Sequence, residues 1–189
     1  MQRLIGLTRL ELTTGNIADQ GTDAVVNAAH PDLLGGQGVD GAIHRFGGPR
    51  ILDACREIGG CPVGNAVITH AGDLPARFVI HAVGPVYDPY DPPDALLRMA
   101  YLNCFRIAAA YGLESITFPS ISTGAFCYPL NVAAPIALGV ALKFLRRETH
   151  NLQLVRFVLY PREQPQAHPI FVRALENLET ATVQLRSEK

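Results

Sequence analysis

No tryptophan occurs among the 189 residues, and charge of either sign is sparse: 16 Lys and Arg against 17 Asp and Glu give a net charge of -1. That balance supplies none of the strong positive field on which tight nucleic-acid binding depends, so nucleic-acid partners are disfavoured. An anion would have to be captured by local geometry instead. Cysteine is scarce as well: Cys55, Cys61, Cys104 and Cys127 form no C-x-x-C pair, and none stands at zinc-finger spacing from a histidine. Reduced thiols in a cytoplasmic protein are expected rather than a disulfide scaffold. No apolar stretch approaches the roughly 20 residues of a membrane span, which argues against a membrane partner. Arg3, Arg9 and Glu11 interrupt the opening residues, leaving no signal-peptide core there. Internal repeats and low-complexity segments are missing too.

What is present is an apolar fraction of 48%, enough for one buried core at this length. A single domain over residues 1–185 is expected, followed by a polar, frayed tail at 186–189. Arg9–Thr13 alternates as a strand, Ala24–Asn27 is a short apolar strand, and Asn65–His70, Arg77–Val83, Ser115–Pro119 and Leu154–Tyr160 also read as strands. Helical spacing predicts Val39–Phe46, Arg50–Ile58, Asp94–Tyr111 (ended by Gly112), Leu130–Arg147 and Ile170–Gln184. The proline-rich run Pro85–Pro93 reads as an exposed loop. Helices interleaved with apolar strands imply a sheet covered on both faces, whose ligands gather at the carboxyl ends of the strands.

Two loops carry the chemistry. The first, Asn27-Ala28-Ala29-His30, leaves a strand and runs into Gly35-Gly36-Gln37-Gly38-Val39-Asp40-Gly41 at a helix start. Glycines let the backbone come close to a ligand, and a helix start adds free N–H groups and a favourable dipole for phosphate. Gly36, Gly38 and Gly41 also spell G-x-G-x-x-G, but a dinucleotide-binding unit needs the glycines directly after the strand and an acid ending a second strand. Here some seven residues intervene, and Glu57 lies in a helical segment. The second loop, Ser120-Ile121-Ser122-Thr123-Gly124-Ala125-Phe126-Cys127-Tyr128-Pro129, repeats the pattern of strand end, small residues, hydroxyls, glycine and helix start. Two such loops can clamp a diphosphate with main-chain N–H groups. His70, His81 and His168 read as structural, with no spacing for a metal.

At Gly15-Asn16-Ile17, Val25-Val26-Asn27-Ala28-Ala29, Gly38-Val39-Asp40-Gly41-Ala42-Ile43-His44, Ala71-Gly72-Asp73-Leu74-Pro75, His81-Ala82-Val83-Gly84-Pro85 and Ile121-Ser122-Thr123-Gly124, the chain resembles the MacroD-type macrodomains. The resemblance implies a three-layer α/β/α fold with a mixed, mainly parallel six-stranded sheet, and an ADP-ribose cleft across the strand ends. It further implies binding of ADP-ribose and hydrolysis of O-acetyl-ADP-ribose or of mono-ADP-ribosyl esters on Asp or Glu of modified proteins, with no cofactor. Carried over by residue, Asn16 and Ile17 would meet the adenine. Gly38 and Val39, with Ser122, Thr123, Gly124, Ala125 and Phe126, would hold the diphosphate and distal ribose. Asn27 would brace that ribose, Asp40 would orient the attacking water, and His44, four residues on along the helix, would position Asp40. Helix capping without chemistry is the competing role for Asp40.

The chain departs from the pattern at four positions. Asn16 replaces the adenine-binding acid, offering a weaker neutral acceptor. His30 replaces the second asparagine of Asn-Ala-Ala-Asn, either as a ribose contact and proton shuttle or as an exposed loop residue. Gln37 replaces a glycine and would cover the ligand or tighten the loop. Cys127 replaces another, as buried filler or as an acidified, oxidisable thiol. His30 and Asn16 keep open a second function, a non-catalytic ADP-ribose-binding module.

Overall fold

The structure, a computed structural model, describes residues 1–187. Seven strands form one sheet: β1 (Gln2–Ile5), β2 (Thr8–Thr14), β3 (Ala24–Ala28), β4 (Ala66–His70), β5 (Phe78–Ala82), β6 (Ser115–Phe118) and β7 (Leu154–Leu159). Their order across the sheet is β1-β2-β7-β6-β3-β5-β4. The four inner pairings are parallel, and the outer pairs β1–β2 and β5–β4 are antiparallel. Five helices cover it: α1 (Gly38–Gly47), α2 (Pro49–Ile58), α3 (Asp94–Ala110), α4 (Leu130–Arg147) and α5 (Ala167–Ser187). Helices α3, α4 and α5 pack on one face, α1 and α2 on the other. The expected α/β/α layering and mixed, mainly parallel sheet are therefore present.

The strand count differs from the expected six. The additional strand is β1, which a two-residue loop at Gly6-Leu7 folds back on β2, with Gly6 at φ 62. As an edge strand it has one partner and an exposed Leu4, so it never acquires a clean buried alternation. A short 3₁₀ turn at Ile17–Asp19, also unexpected, follows β2. Of the tail, Arg186 and Ser187 close α5, and residues 188–189 lie outside the described residues. Among the described residues no helix is long and apolar enough to cross a membrane.

Alternation within the strands divides the core. In β3, Ala24 and Val26 enter the larger core beneath α3–α5, while Val25 enters the smaller one beneath α1 and α2. Asp23, at the start of β3, sets that strand against β6. Its Oδ2 accepts from the amides of Glu114 (2.9 Å) and Ser115 (3.0 Å), and its own amide donates to Ser115 Oγ at 2.8 Å. Burial pushes the Asp23 carboxyl up, but the Glu114 amide, the Arg77 guanidinium and the Ser115 contacts outweigh it and hold the group below the ordinary 3.8. Asp23→Ala leaves two amides without their acceptor and is expected to cost about 1–3 kcal/mol at neutral pH. Because the folded carboxyl is the stronger acid, that contribution is present above about pH 4 and disappears as the pH falls below it. Urea unfolding of parent and variant should therefore differ at pH 7 and converge in acid.

Candidate active site at the carboxyl edge of the sheet

Strands β2, β7, β6, β3 and β5 run in one direction, so the loops that follow them share one edge. The loops touch there. Thr123 Oγ1 donates to Gln164 Oε1 (3.2 Å), and Gln164 Nε2 donates back to Thr123 O (2.5 Å), which ties the second glycine loop to the segment after β7. Tyr87 N donates to Phe126 O at 2.9 Å, tying it to the segment after β5. Gly84 approaches so closely that a Cβ there would lie 2.2 Å from Ser122 Oγ. From α3, Tyr101 OH accepts from Ile121 N (2.9 Å) and donates to Pro119 O (3.4 Å), and Tyr128 OH donates to Asp94.

The first loop folds back on α1. A Cβ on Gly41 would lie 2.6 Å from Gly36 O, so the G-x-G-x-x-G spacing here serves close packing of loop on helix start. Gln37 occupies the N-cap without giving a side-chain cap, leaving the first-turn N–H groups of α1 without a side-chain partner. Two further features single out this edge. Among the described residues, the only non-glycines with positive φ are Leu33 (60°), Ser122 (66°) and Cys127 (55°), all in the two loops. The buried side-chain polar atoms without a hydrogen-bond partner are Asn27 Oδ1, His44 Nε2, Ser120 Oγ and Ser122 Oγ, which lie on the same elements.

Asp40 is buried in the first turn of α1. Its Oδ1 accepts from Asn27 Nδ2 at 2.7 Å and lies 3.3 Å from His44 Nε2, within ion-pair range but off the hydrogen-bonding direction. Its Oδ2 lies beside Gly36, where a Cβ would come within 3.1 Å. Beneath them His81, fully buried on β5, lies within hydrogen-bonding distance of Asn27 Nδ2 through Nδ1 (3.1 Å) and of Thr69 Oγ1 through Nε2 (2.9 Å). Burial, then the neighbouring His44, holds the His81 imidazole down to about 4, with Asp40 only partly offsetting. Burial and then Asp40 push the Cys55 thiol up to about 11. The ligand atoms of His44, Cys55 and His81 all lie within 4.8 Å of one another. Both ring nitrogens of His81 are nevertheless engaged by the protein and Cys55 keeps its proton, so the trio is a packed polar cluster and a poor metal cage.

Asn27, Asp40 and His44 thus come together directly, and Gln37, Gly38 and Val39 share an edge with Ser122–Phe126. His30 does not join them: it is exposed, with Nδ1 turned to Asp32 Oδ1 at 3.0 Å. Asn16 caps the 3₁₀ turn, its Oδ1 accepting from Ala18 N at 3.2 Å, while Ile17 is buried in the smaller core. Gln20 holds the Asn16 carbonyl and is itself held by Arg156. Cys127 is exposed rather than buried filler, and it adopts the left-handed backbone that a glycine would take without strain. Tyr101, Gln164, Thr69 and the site role of His81 escaped sequence reasoning, since their partners are 12 to 54 positions away. Two concavities of about 400 and 320 Å³ open near β1 and contain none of the expected site residues.

The His81 environment has a measurable consequence. An unfolded imidazole titrates near 6.5, so the unfolded chain binds this proton first. Stability should fall as the pH drops from about 6.5 towards 4, by roughly 1.4 kcal/mol per pH unit for this one group. His81→Asn, followed by denaturant unfolding across that window, should flatten the slope.

The sequence model of the Macro domain family matches residues 26–137. A protein of Enterobacter sp. (strain 638) named O-acetyl-ADP-ribose deacetylase is 48% identical over 165 residues, covering 85% of this chain and 91% of that protein. A protein of the same name from Escherichia coli (strain K12) is 48% identical over 161 residues, with 82% and 90% covered. Among solved structures, a substituted Oceanobacillus iheyensis macrodomain with ADPR superposes with a TM-score of 0.89 at 38% identity, covering 95% of this chain and 98% of that one. The Trypanosoma brucei macrodomain in complex with ADP-ribose gives 0.82 at 38% identity, covering 88% and 68%.

Proposed function

Since the chain belongs to the macro domain family, we propose that it binds ADP-ribose at the carboxyl edge of its sheet and hydrolyses O-acetyl-ADP-ribose and mono-ADP-ribosyl esters of Asp and Glu. One observation carries the reading: among the described residues, the four unpartnered buried polar atoms and the three strained non-glycine residues fall on β3, α1 and the two loops at one edge of the sheet. The named activity of the 48%-identical relatives and the ADP-ribose held by the structural neighbours support the same ligand.

In this reading the first-turn amides of α1 at Gly38 and Val39 and the segment Ser122–Phe126 take the diphosphate from two sides, Phe126 packs on the distal ribose, and Gln37 covers the ligand. Asn27 Oδ1 accepts a hydrogen bond from the ribose or the water, and Asp40 Oδ2 holds the water. Water oxygen bonds to the ester carbonyl carbon, and the bond from that carbon to the ribose oxygen breaks. The departing ribose oxygen takes one proton of the water to become a hydroxyl, and the carboxylic acid product releases the other to solvent. His44 steadies Asp40, and His30 meets the substrate from the rim with its unbonded Nε2. ADP-ribosylated proteins are the macromolecular partners. Residues 1–185 act as one unit in the cytoplasm, where four free cysteines persist.

An ADP-ribose titration followed by turnover of O-acetyl-ADP-ribose on the same sample tests the whole reading. Positioned proton transfer and water orientation contribute roughly 10²- to 10⁴-fold, so Asp40→Ala should lower kcat by at least about 10²-fold while the protein remains folded. Full hydrolysis by that variant would overturn the role. Asn16→Asp supplies a second, charged oxygen where Oδ1 is already committed to Ala18. It should tighten ADP-ribose binding by roughly 1 kcal/mol, about fivefold. Unchanged affinity in calorimetry would remove Asn16 from the adenine site.

A further inference from the structure

We propose that His81 is a positioning residue for this reaction: locked in one tautomer by Thr69, it holds the Asn27 amide with its oxygen, and never its nitrogen, towards the ligand. The inference rests on the roles proposed above for Asn27 and Asp40, and deepens them.

The argument follows the protons. Asn27 on β3 and His81 on β5 are direct neighbours in the parallel register, and Thr69 lies on β4, the next strand out. His70 O, 3.0 Å from Thr69 Oγ1, can only accept, so the single Thr69 hydroxyl proton has an acceptor there. Asn27 Nδ2, held as a donor by Asp40, requires an acceptor at Nδ1, so the ring proton falls on Nε2 and Thr69 Oγ1 accepts it at 2.9 Å. Cys55 Sγ, at 3.6 Å from the same nitrogen, is the more distant and weaker competitor. With the proton on Nε2, Nδ1 is an acceptor and takes one hydrogen of Asn27 Nδ2 at 3.1 Å. The second goes to Asp40 Oδ1 at 2.7 Å. Both amide hydrogens are then committed, and Asn27 Oδ1, buried and unpartnered within the protein, is the end left for the ligand.

Asp40 alone does not secure this orientation. Whenever Asp40 takes a proton during the reaction, its pull on the amide weakens, whereas His81 keeps its acceptor. The groups facing His81 are Asn27 from β3, Asp40 and His44 from α1, Cys55 from α2 and Thr69 from β4. Burial and His44 keep the ring neutral down to about pH 4, so the acceptor persists over the working range.

Three variants of the full chain separate this role from plain packing. In His81→Asn the amide oxygen stands where Nδ1 was and can still accept from Asn27; in His81→Gln the amide reaches Thr69 but leaves Asn27 without its acceptor. Loss of an outer hydrogen-bonding partner typically costs 10- to 100-fold. His81→Gln should lower kcat for O-acetyl-ADP-ribose by roughly that factor with KM within about threefold, and His81→Asn should restore kcat to within about threefold of the parent. Thr69→Val frees the ring to change tautomer and should lower kcat without touching the cleft. Nitrogen-15 shifts of His81 in the parent should report the Nε2–H tautomer, a reading that survives if the His81 variants fail to fold. An active parent with equal kcat in the Asn and Gln variants, or a ring protonated on Nδ1, would overturn the positioning role. A parent with no turnover would instead refute the hydrolase reading. The nitrogen-15 shifts then decide for His81, an Nε2–H ring supporting the role and an Nδ1–H ring overturning it.

Discussion

The parallel pairing of β3 with β6 is the constraint on which the cleft depends. Asp23 and Ser115 exchange hydrogen bonds across 92 positions of sequence at the start of those strands, and the register that follows sends both glycine loops out side by side. Neither loop holds itself in place. Gln164 from the segment after β7, Tyr87 from the segment after β5 and Tyr101 from α3 each bond the second loop's backbone or side chain, while the first loop is folded onto α1 by the Gly36–Gly41 contact. Geometry at the tip of the sheet is thus inherited from pairings at its base, since parallel neighbours must end together.

Cost is concentrated at the carboxyl edge of the sheet. Positive φ in a non-glycine residue and a buried polar atom without a partner each carry on the order of 1–3 kcal/mol, and a fold tolerates them only where surrounding contacts over-determine the structure. Three such residues and four such atoms occupy the two loops, α1 and the end of β3. A bound ligand offering acceptors to main-chain amides and donors to Asn27 Oδ1 and Ser122 Oγ would relieve part of that cost on binding.

The legible part of the fold is the part with strong period and firm punctuation. Six strands and five helices announce themselves because each helix buries one face, and each strand is a short apolar or alternating run, between turn residues; the ends shift by only a residue or two at most of them. At α5 the helix begins at Ala167 rather than Ile170, since Pro169 sits within its first turn, where a missing N–H costs nothing. Within the candidate site, the two glycine loops are legible as strand ends running into helix starts, whereas Asn27, Asp40 and His44 stand out through the family resemblance, and the structure brings their side chains together. His30 adjoins Asn27 in sequence, yet the chain turns after Ala29, whose amide bonds Ala82 O at 2.9 Å, and carries the imidazole outwards to Asp32. The ladder from Asn27 through His81 to Thr69 was out of reach because strand register alone creates it.

The two faces of the sheet divide the work of holding the site. On the α3–α5 side, Phe105, Phe118, Phe144 and Phe157 pack ring on ring, with centroid separations of 4.8 to 5.3 Å, and Tyr101 lies 5.7 Å from Phe118. That rigid aromatic layer ends in one hydroxyl, which bonds both Pro119 O and Ile121 N and so fixes where the second loop departs. On the thinner α1–α2 side, Val25 and Val79 alternate with Asn27 and His81, and the polar members form a chain of hydrogen bonds that ends on a main-chain carbonyl. A buried polar chain of this kind stabilises less than apolar packing would, but it is directional, and direction is what a single amide oxygen needs if it is to be held towards a ligand. Apolar stiffness on one face sets where the second loop's backbone stands, and polar order on the other sets which atom of the Asn27 amide is left unpartnered.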